Sequence, residues 1–293
     1  MCQKALRKDR RFMILVFGST GQVAKSLADL QGDRELVFLD RDMADLTDPE
    51  ACATLIRSKR PSVVLNAAAY TAVDRAEEEE ALAHIINADA PGAVANACAD
   101  LNIPFCHVST DYVFAGTGSA PHKPNDPTDP QNAYGRTKLA GEEAVRAAGG
   151  QHAILRTSWV FSEYGNNFVK TMLRLSETRN ALNVVDDQIG GPTPARGIAQ
   201  ALLTMADALR NGKSGGTYHF TGAPDTSWAG FARAIFETAG RDVDVTGIPT
   251  SDYPTPATRP LNSRLDCRAI LEDFGIHQPD WQAELRRILK DLT

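Results

Sequence analysis

The sequence predicts an α/β fold, a doubly wound parallel sheet joined to a smaller, mixed α/β domain in the C-terminal half. Three observations support this. Apolar runs alternate with helical segments as β-α-β-α-β-α-β over about 110 residues of the first half. A glycine-rich turn joins the first apolar run to the first helix. Polar side chains follow the ends of several runs, where the carboxyl ends of parallel strands would meet.

The chain has 293 residues and a formal net charge of −6. This length suits one large domain or two closely joined ones. We expect residues 13–160 to form the sheet domain, with returning segments from the second half, and residues 161–293 to form mainly the smaller domain. The acidic balance argues against nucleic-acid or membrane partners, and no apolar run approaches the roughly 18 residues of a membrane span.

The five cysteines are scattered, with no C-x-x-C pair, which indicates a reducing compartment and leads us to expect a cytoplasmic protein. Residues 1–12 are basic and lack the apolar core of a secretory signal. We expect them to be a disordered extension ahead of a first strand that opens at Met13.

The first strand, residues 12–17, runs directly into a glycine-rich turn. Gly18 permits the tight turn, and Gly21 lets backbone amides at the start of the next helix approach a pyrophosphate. Ala24 replaces the third glycine of the usual fingerprint. The pattern therefore predicts a dinucleotide site at Gly18, Gly21, Gln22 and Val23.

The second strand, residues 35–39, ends at Asp40, 19 residues after Gly21. An acid here usually accepts the ribose hydroxyls of NAD, whereas the adjacent Arg41 could meet the 2′-phosphate of NADP. The pair leaves NADH and NADPH both open. Asp45 and Leu46 fall in a loop where adenine could lie, although Asp45 is equally well explained as a turn residue.

Small residues follow the third strand, residues 62–66. Their size would let the backbone approach a flat ligand at the carboxyl end of the strand. We therefore add four positions to the predicted cofactor site: Ala67, Ala68, Ala69 and Thr71. The acid-rich stretch that follows, residues 74–80, is interpreted as a solvated helix start that suits the helix dipole. A helix is predicted over residues 87–100.

The fourth strand, residues 103–108, leads to Thr110, and helical composition resumes over residues 137–148. Tyr134 and Lys138 are four residues apart, which on a helix places both on one face with Cβ atoms about 5–6 Å apart. An ammonium beside a phenol favours the phenolate, so we expect the pKa of Tyr134 to lie below its usual value of about 10. Such a tyrosine can exchange a proton near neutral pH. His107 is interpreted as a satisfied core residue.

The second half has fewer clear signals. Trp159 follows a fifth strand, residues 151–156, and could stack on a base or sugar or simply pack. Arg259 and Arg264 flank proline-rich turns, where a guanidinium could hold a diphosphate. Further elements are predicted from composition: strands at 183–185 and 218–220, and helices at 167–178, 195–210, 227–239, 266–274 and 279–289.

The glycine turn, Thr110 and the Tyr-x-x-x-Lys motif together resemble an extended short-chain dehydrogenase/reductase. The resemblance is closer to the dTDP-4-dehydrorhamnose reductases, and it extends from about Met13 to the C-terminus in the same motif order. Seven blocks carry it: residues 66–74, 109–114, 134–142, 156–160, 165–168, 187–193 and 253–260.

This resemblance implies a Rossmann-like fold and reduction of dTDP-4-dehydro-β-L-rhamnose to dTDP-β-L-rhamnose with NADPH or NADH. That reaction is the last step of dTDP-L-rhamnose biosynthesis for surface polysaccharide. By motif position, Tyr134 would be the proton donor, Lys138 its partner and a ribose ligand, and Thr110 the hydroxyl that tunes the site. The implied contacts to the sugar nucleotide are Thr110, Asp111, Trp159, Asn167 and Arg259.

Some members of that family hold Mg²⁺ between subunits through glutamates. One of those acids follows the glycine turn, where this chain has Lys25-Ser26, so we assign no metal ligand and regard Mg²⁺ and a metal-bridged dimer as doubtful. A homodimer without metal stays open. The small-molecule partner implied is a dTDP-sugar.

Two other functions fit the same superfamily. A sugar-nucleotide epimerase or dehydratase is one, but dehydratases commonly carry paired acids beside the threonine, and here Asp111 is followed by Tyr112. A regulatory subunit that binds NADP without catalysis is the other, and the intact Tyr134 and Lys138 argue against it.

Overall fold

The structure, a computed structural model, describes residues 12–292. Most of the predicted basic extension, residues 1–11, lies outside the described residues. Phe12 packs against the first core, with the Arg210 guanidinium 4.0 Å from the centre of its ring. The strands in chain order are β1 (Met13–Phe17), β2 (Glu35–Leu39), β3 (Val63–Asn66), β4 (Phe105–Thr110), β5 (His152–Thr157), β6 (Val160–Phe161), β7 (Ala181–Val185), β8 (Ile189–Gly190), β9 (Thr193–Pro194), β10 (Gly216–His219), β11 (Thr226–Ser227), β12 (Asp244–Ile248) and β13 (Asn262–Ser263).

The central sheet has six parallel strands in the order β10-β5-β4-β3-β1-β2. The chain moves outward from β1 to β2 and then returns past β1 to β3, so the order reverses beside β1. In a doubly wound sheet this reversal opens a crevice at the carboxyl ends of the strands, where ligands bind. The predicted doubly wound parallel sheet is confirmed.

The helices in chain order are α1 (Gln22–Asp29), α2 (Pro49–Lys59), α3 (Glu80–His84), α4 (Ala90–Asp100), α5 (Ala133–Ala147), α6 (Phe168–Ser176), α7 (Ala195–Arg210), α8 (Trp228–Ala239), α9 (Arg268–Phe274) and α10 (Trp281–Leu292). Helices α1 and α7 cover one face of the sheet, where Leu27 and Ile198 belong to the same core as Ile14. Helices α2, α4 and α5 cover the other face, where Ile56 and Val94 belong to a second core. Burial on both faces explains why the strands are continuously apolar.

A third core holds the second domain together. It contains Phe161, Phe231 and Trp281, contributed by β6, α8 and α10. Strands β7 and β12 pair in parallel beside it. Helix α7, strand β10 and helix α9 return to the first domain, where β10 pairs with β5 and Ile270 of α9 joins the first core.

Several elements differ from the prediction, and two helix starts and one strand illustrate the causes. Helix α5 begins at Ala133, four residues earlier than predicted, because the Asn132 side chain accepts the N–H of Gly135 and caps the helix. The helix predicted from residue 87 is a π-helical turn, Ile85–Asp89, followed by α4. Strand β12 was not predicted, since Val245 is its one buried side chain and the strand carries no continuous apolar run.

Candidate active site

The glycine turn joins β1 to α1, as predicted, and lies at the strand-order reversal. Gly18 has a φ of +98°, and a Cβ at this position would lie 3.3 Å from the Cβ of Ala68. Glycine is therefore required both by the backbone conformation and by the close approach of the segment after β3. Gly21 is the N-cap of α1 and supplies no side-chain cap. The first N–H groups of α1, including those of Gln22 and Val23, thus have no capping side chain, which is the arrangement that binds phosphate.

A cavity of about 370 Å³ opens beside this turn. It collects seven of the twelve turn and loop residues predicted from sequence to bind the cofactor: Gly18, Asp40, Arg41, Asp45, Leu46, Ala68 and Ala69. The side chains of Phe17, Leu39 and Ile86 complete a partly apolar wall. The size, the apolar wall and the glycine cradle fit the adenine and ribose end of a dinucleotide.

Four charged residues line this cavity: Asp40, Arg41, Asp42 and Asp45. Asp40 Oδ1 accepts the N–H of Met43 at 2.9 Å, which fixes the carboxylate at the end of β2. Arg41 forms an ion pair with Asp45 at 3.3 Å, but its side chain is 77% exposed. The pKa of Asp45 is lowered, chiefly by the backbone N–H of Thr47 and also by Arg41. Arg41 is therefore held only by an exposed ion pair and can turn toward a ligand.

Ala67, Thr71 and the side chain of Gln22 do not line this cavity. Ala67 donates its N–H to Phe17 O, and Thr71 is exposed. The side-chain amide of Gln22 points away from the turn: its Oε1 accepts hydrogen bonds from Ser162 Oγ at 2.8 Å and Asn167 Nδ2 at 3.0 Å. The contribution of Gln22 to a cofactor site is thus confined to its backbone N–H.

Thr110, Tyr134 and Lys138 come together at the carboxyl end of β4. Thr110 is the last residue of β4, and its Oγ1 donates to Asp111 Oδ1 at 3.0 Å and accepts the N–H of Tyr112 at 3.2 Å. The ring of Tyr134 packs edge-on against Tyr112, with centroids 5.5 Å apart. The early start of α5 places both Tyr134 and Lys138 within the helix, on the face turned to β4.

The electrostatics of Tyr134 correct the sequence-based expectation. Burial raises the pKa of Tyr134, and the Thr110 hydroxyl opposes this only in part. Lys138 does not lower it in this structure, because its Nζ donates to Val108 O at 2.7 Å and lies 3.3 Å from His107 Nε2. The four-residue spacing fixes where the two Cβ atoms lie, but not where a four-carbon side chain ends. Burial lowers the pKa of Lys138 to about 8.

Asp111 lies beside Thr110 and is almost fully buried. Its Oδ2 has no hydrogen-bond partner within residues 12–292, and burial raises its pKa to about 6, although Ser263 and Thr110 act against this shift. A buried carboxyl with a free oxygen next to two hydroxyls is suited to contact a polar ligand such as a sugar.

A second cavity, of about 720 Å³, is lined by Tyr112 and by α6, β7 and other parts of the second domain. Two of the predicted substrate residues line it, Trp159 and Arg259. Trp159 stacks on Trp228 with centroids 3.7 Å apart, so it packs and also faces the cavity. Arg259 forms an ion pair with Asp74 at 2.7 Å and donates to Tyr112 Oη at 3.2 Å.

Asn167 and Arg264 do not line either cavity. Asn167 caps α6 by accepting the N–H of Lys170, and its Nδ2 is shared among Gln22 Oε1 and two backbone carbonyls. Arg264 lies 3.5 Å from Asp225 and bonds Asn262. Both side chains therefore have partners within the protein.

Several residues of the site were not predicted from the sequence. The acid-rich stretch is not merely solvated: Glu77 accepts the N–H of Ala133, and Glu80 holds Arg136 with two bonds of 2.8 Å. These acids clamp the start of α5. Trp228 was also missed; it is the first residue of α8, directly after the N-cap Ser227, and is half-buried. No short-range signal marks its contact with Trp159.

No cluster of three or more His, Cys, Asp or Glu side chains suited to a metal ion occurs in the described part of the chain. After the glycine turn, Lys25 and the buried Ser26 occupy the region where metal-binding relatives would carry an acid, and an ammonium does not fit a cation site. In the same described range, no helix is long and apolar enough to cross a membrane.

A nucleotide cavity at the glycine turn, with a Tyr-x-x-x-Lys helix at the same edge of a doubly wound sheet, places the chain among the nucleotide-dependent oxidoreductases of the extended short-chain dehydrogenase/reductase class. The family described as "RmlD substrate binding domain" matches residues 12–293. The chain belongs to this family, that of the dTDP-4-dehydrorhamnose reductases, as its motifs indicated.

Individual relatives agree with this assignment. A dTDP-4-dehydrorhamnose reductase of Burkholderia thailandensis is 46% identical over 95% of this chain and 98% of its own length. The crystal structure of a dTDP-4-dehydrorhamnose reductase from Clostridium acetobutylicum has a TM-score of 0.90 at 37% identity, covering 96% of this chain and 99% of that one. The enzyme from Bacillus anthracis, solved in complex with NADP, has a TM-score of 0.89 at 33% identity, covering 96% and 100%.

Proposed function

We propose that this protein reduces dTDP-4-dehydrorhamnose to dTDP-rhamnose with NADPH or NADH, as the last step of dTDP-L-rhamnose biosynthesis for surface polysaccharide. One observation carries the proposal beyond family membership. Thr110 ends β4 at the carboxyl edge of the sheet, and Tyr134 packs on Tyr112, which lines the second, aromatic cavity. The first cavity, at the glycine turn, opens at the same edge of the sheet. A cofactor and a sugar nucleotide in these two cavities would meet at the two hydroxyls.

The first cavity suits the adenosine end of the cofactor, and the second suits the sugar nucleotide. In the second, the stacked rings of Trp159 and Trp228 offer a flat apolar surface to a base. Arg259 lies at the same cavity with a guanidinium shaped to hold phosphate oxygens, and its ion pair with Asp74 fixes its direction. Asp111 is assigned to the sugar.

The nicotinamide supplies the hydride that reduces the keto carbon. Tyr134 donates the proton that the developing alkoxide needs, and the raised pKa of this phenol keeps the proton in place at neutral pH. Thr110 donates a second hydrogen bond to the same oxygen. With the cofactor bound, Lys138 would turn from Val108 O to the nicotinamide ribose and to Tyr134 as an ammonium.

A cytoplasmic location and a homodimer are further parts of this proposal. The four cysteines in the described residues, Cys52, Cys98, Cys106 and Cys267, are free and buried, as suits a reducing compartment. Light scattering on the purified protein measures the assembly state directly.

The reaction is tested by adding the 4-keto sugar nucleotide to the purified protein with NADPH and following loss of the reduced cofactor. Conversion to the rhamnose nucleotide is the expected outcome, and dTDP-glucose, which has no keto group, is the control substrate. Binding of both ligands without cofactor oxidation would instead identify a regulatory subunit. Product at a different carbon would identify an epimerase or dehydratase.

Cofactor use follows from the side chains at the end of β2. Asp40 favours NADH and Arg41 favours NADPH, so we expect kcat/KM values within about tenfold of each other, a difference of about 1.4 kcal/mol. Arg41→Ala should selectively lower kcat/KM with NADPH. The control is Arg57→Ala, which replaces an exposed arginine on α2 outside the cavity and should change kcat/KM with neither cofactor. A preference above a hundredfold would show that one residue dominates.

Replacing Thr110 with valine should lower kcat by about ten- to a hundredfold, because one hydrogen bond to the developing charge is lost. Thr157→Val is a matched control. Thr157 pairs in register with Thr110 on the neighbouring strand, and its Oγ1 makes no hydrogen bond within residues 12–292. Equal kinetic losses in the two variants would mean that valine disturbs the sheet edge and that the Thr110 hydroxyl has no special role.

A further inference from the structure

The mechanism assigns no role to the buried imidazole beneath Lys138. His107 is fully buried on β4, and Lys138, on α5, is 2% exposed. The Nζ of Lys138 lies 3.3 Å from His107 Nε2 and 2.7 Å from Val108 O. The other ring nitrogen, Nδ1, lies 3.2 Å from Asn66 Nδ2 on β3. The lysine therefore ends a hydrogen-bonded chain that crosses two strands of the sheet.

The donor and acceptor roles along this series of hydrogen bonds are set by Asn66, at the end far from Lys138. Asn66 Oδ1 accepts the backbone N–H of Ala68 at 3.1 Å. A backbone N–H can only donate, so the oxygen of the Asn66 amide faces Ala68 and the NH₂ group faces His107. Turning the amide over would place two donors against each other at Ala68. Nδ1 of His107 must consequently accept.

The tautomer of His107 then determines the protonation state of Lys138. Burial lowers the pKa of His107 well below its usual value, so the ring is neutral and carries one proton. Since Nδ1 accepts, that proton is on Nε2 and points at Lys138 Nζ. If Lys138 were an ammonium, it would have no lone pair, and its N–H groups would face the N–H of His107. An uncharged amine has a lone pair and can accept the hydrogen bond from His107. The amine still donates to Val108 O.

We propose that His107 is a positioning residue that holds Lys138 as an uncharged amine, turned away from Tyr134, by donating its Nε2–H to Nζ. This inference rests on the proposed function for the role of Lys138 and adds a second resting position to it. Lys138 would leave His107, take up a proton from solvent and reach the ribose as an ammonium. The two strands thus supply a holding site for the lysine beneath the catalytic hydroxyls.

The other ionisable groups around Lys138 do not oppose this assignment. Glu142, one turn further along α5, is the one nearby group that raises the pKa of Lys138, and it is already paired with Arg156 from β5 and with Arg146. Tyr134 on α5 keeps its proton at neutral pH, and Asp111 lies in the turn after β4. Burial of the lysine outweighs Glu142, and its pKa falls to about 8, so the uncharged amine held by His107 predominates above pH 8, whereas at neutral pH most of the Lys138 population is an ammonium that does not fit this position.

Two NMR measurements on the ligand-free protein test the proposal without any cofactor. A long-range ¹H–¹⁵N spectrum should show the His107 proton on Nε2. A ¹³Cε titration of lysine, with the Lys138 signal identified by its loss in Lys138→Met, should show a midpoint near pH 8. A proton on Nδ1, or a doubly protonated ring, would overturn the proposal.

The variant His107→Gln tests whether His107 contributes to the midpoint of the Lys138 ¹³Cε titration. A glutamine can turn its carbonyl oxygen toward Lys138, so an ammonium becomes acceptable and the proton affinity of Lys138 should rise about tenfold. Cys106→Ala is the control, since it alters the same strand in the core on the opposite face and should leave the titration unchanged. An unshifted Lys138 midpoint in His107→Gln would count against the role of His107.

Cofactor binding tests whether Lys138 takes up a proton when it moves. NADH is used because it lacks the 2′-phosphate of NADPH, which itself titrates near neutral pH. Calorimetry in buffers of different ionisation enthalpy should show proton uptake when NADH binds above pH 8, and Lys138→Met should abolish the uptake. Uptake that persists in Lys138→Met would contradict the proposed movement of this lysine. A failure to bind NADH would overturn the proposed function, whereas the NMR measurements decide the role of His107 independently.

Discussion

Tyr134→Phe is expected to lower kcat by about 10²- to 10⁴-fold while cofactor binding survives. The range is the usual contribution of a positioned general acid, and the substitution removes the acid while keeping the ring. The ring has its own packing partners, Tyr112 at 5.5 Å and the small cluster that contains Tyr70 and Ala133. Phenylalanine can keep these contacts, so the loss should be confined to the proton. Single-turnover oxidation of NADPH with the 4-keto sugar nucleotide measures it.

Tyr70→Phe is the matched control for this experiment. Tyr70 packs in the same cluster, and its hydroxyl donates to Glu79 at 2.6 Å, away from both reacting hydroxyls. We expect its single-turnover rate to stay within a few-fold of the wild-type rate. A near-normal rate in Tyr134→Phe would mean that the proton comes from another group, with Asp111 the nearest candidate because its pKa is raised to about 6.

Arg156→Met should be the most destabilising single change at the ion pairs described, by about 3–5 kcal/mol. Arg156 and Glu142 bond through two contacts of 2.8 and 2.6 Å, and their side chains are 3% and 0% exposed. Methionine would leave the Glu142 carboxylate buried with only Ser109 and the partly exposed Arg146 as partners. Removing one member of a buried pair costs far more than the pair itself contributes.

Chemical denaturation measures the free energy of unfolding that Arg156→Met loses. Two further variants identify the source of this loss. Arg146→Met removes the partner of the same carboxylate that is 38% exposed, and should cost about 1 kcal/mol or less. The double variant Arg156→Met with Glu142→Leu removes both charges and should be more stable than Arg156→Met alone. A double variant as unstable as the single one would show that the cost comes from packing.

The pH dependence follows from the pKa of Glu142. Burial raises this pKa, but the hydrogen bonds and charge of Arg156 outweigh burial, and the net pKa is lowered. The pair therefore contributes stability above the unfolded-state value of about 4.3, and this contribution is lost as pH falls through the lower folded pKa. In Arg156→Met the carboxyl can protonate instead, so the loss of stability should shrink as pH falls from 7 to 5.

The central sheet was predictable because of how it is buried. Strands covered on both faces are continuous apolar runs, and the glycine turn between β1 and α1 has a local sequence cause. Strand β12 is exposed along most of its length, and its pairing with β7 joins segments about sixty residues apart. Nothing local in the sequence marks such a strand.

The site was predictable where its geometry is local and unpredictable where it depends on long side chains. Asp40 and Ala68 lie in the predicted cavity because strand ends and short turns fix them. The direction of Lys138 depends on Val108 O, which only the packing of α5 on β4 reveals. The clamp by Glu77 and Glu80 likewise joins residues 56 apart in the chain.

Helix α1 is tied at both ends to the segment where the second domain begins. Gln22 bonds Ser162 and Asn167 at one end, and Asp29 accepts the Tyr164 hydroxyl at 2.8 Å at the other. A clamshell opening of the two domains would have to break all of these bonds together. We therefore expect sugar-nucleotide exchange to proceed without separating α1 from residues 162–167.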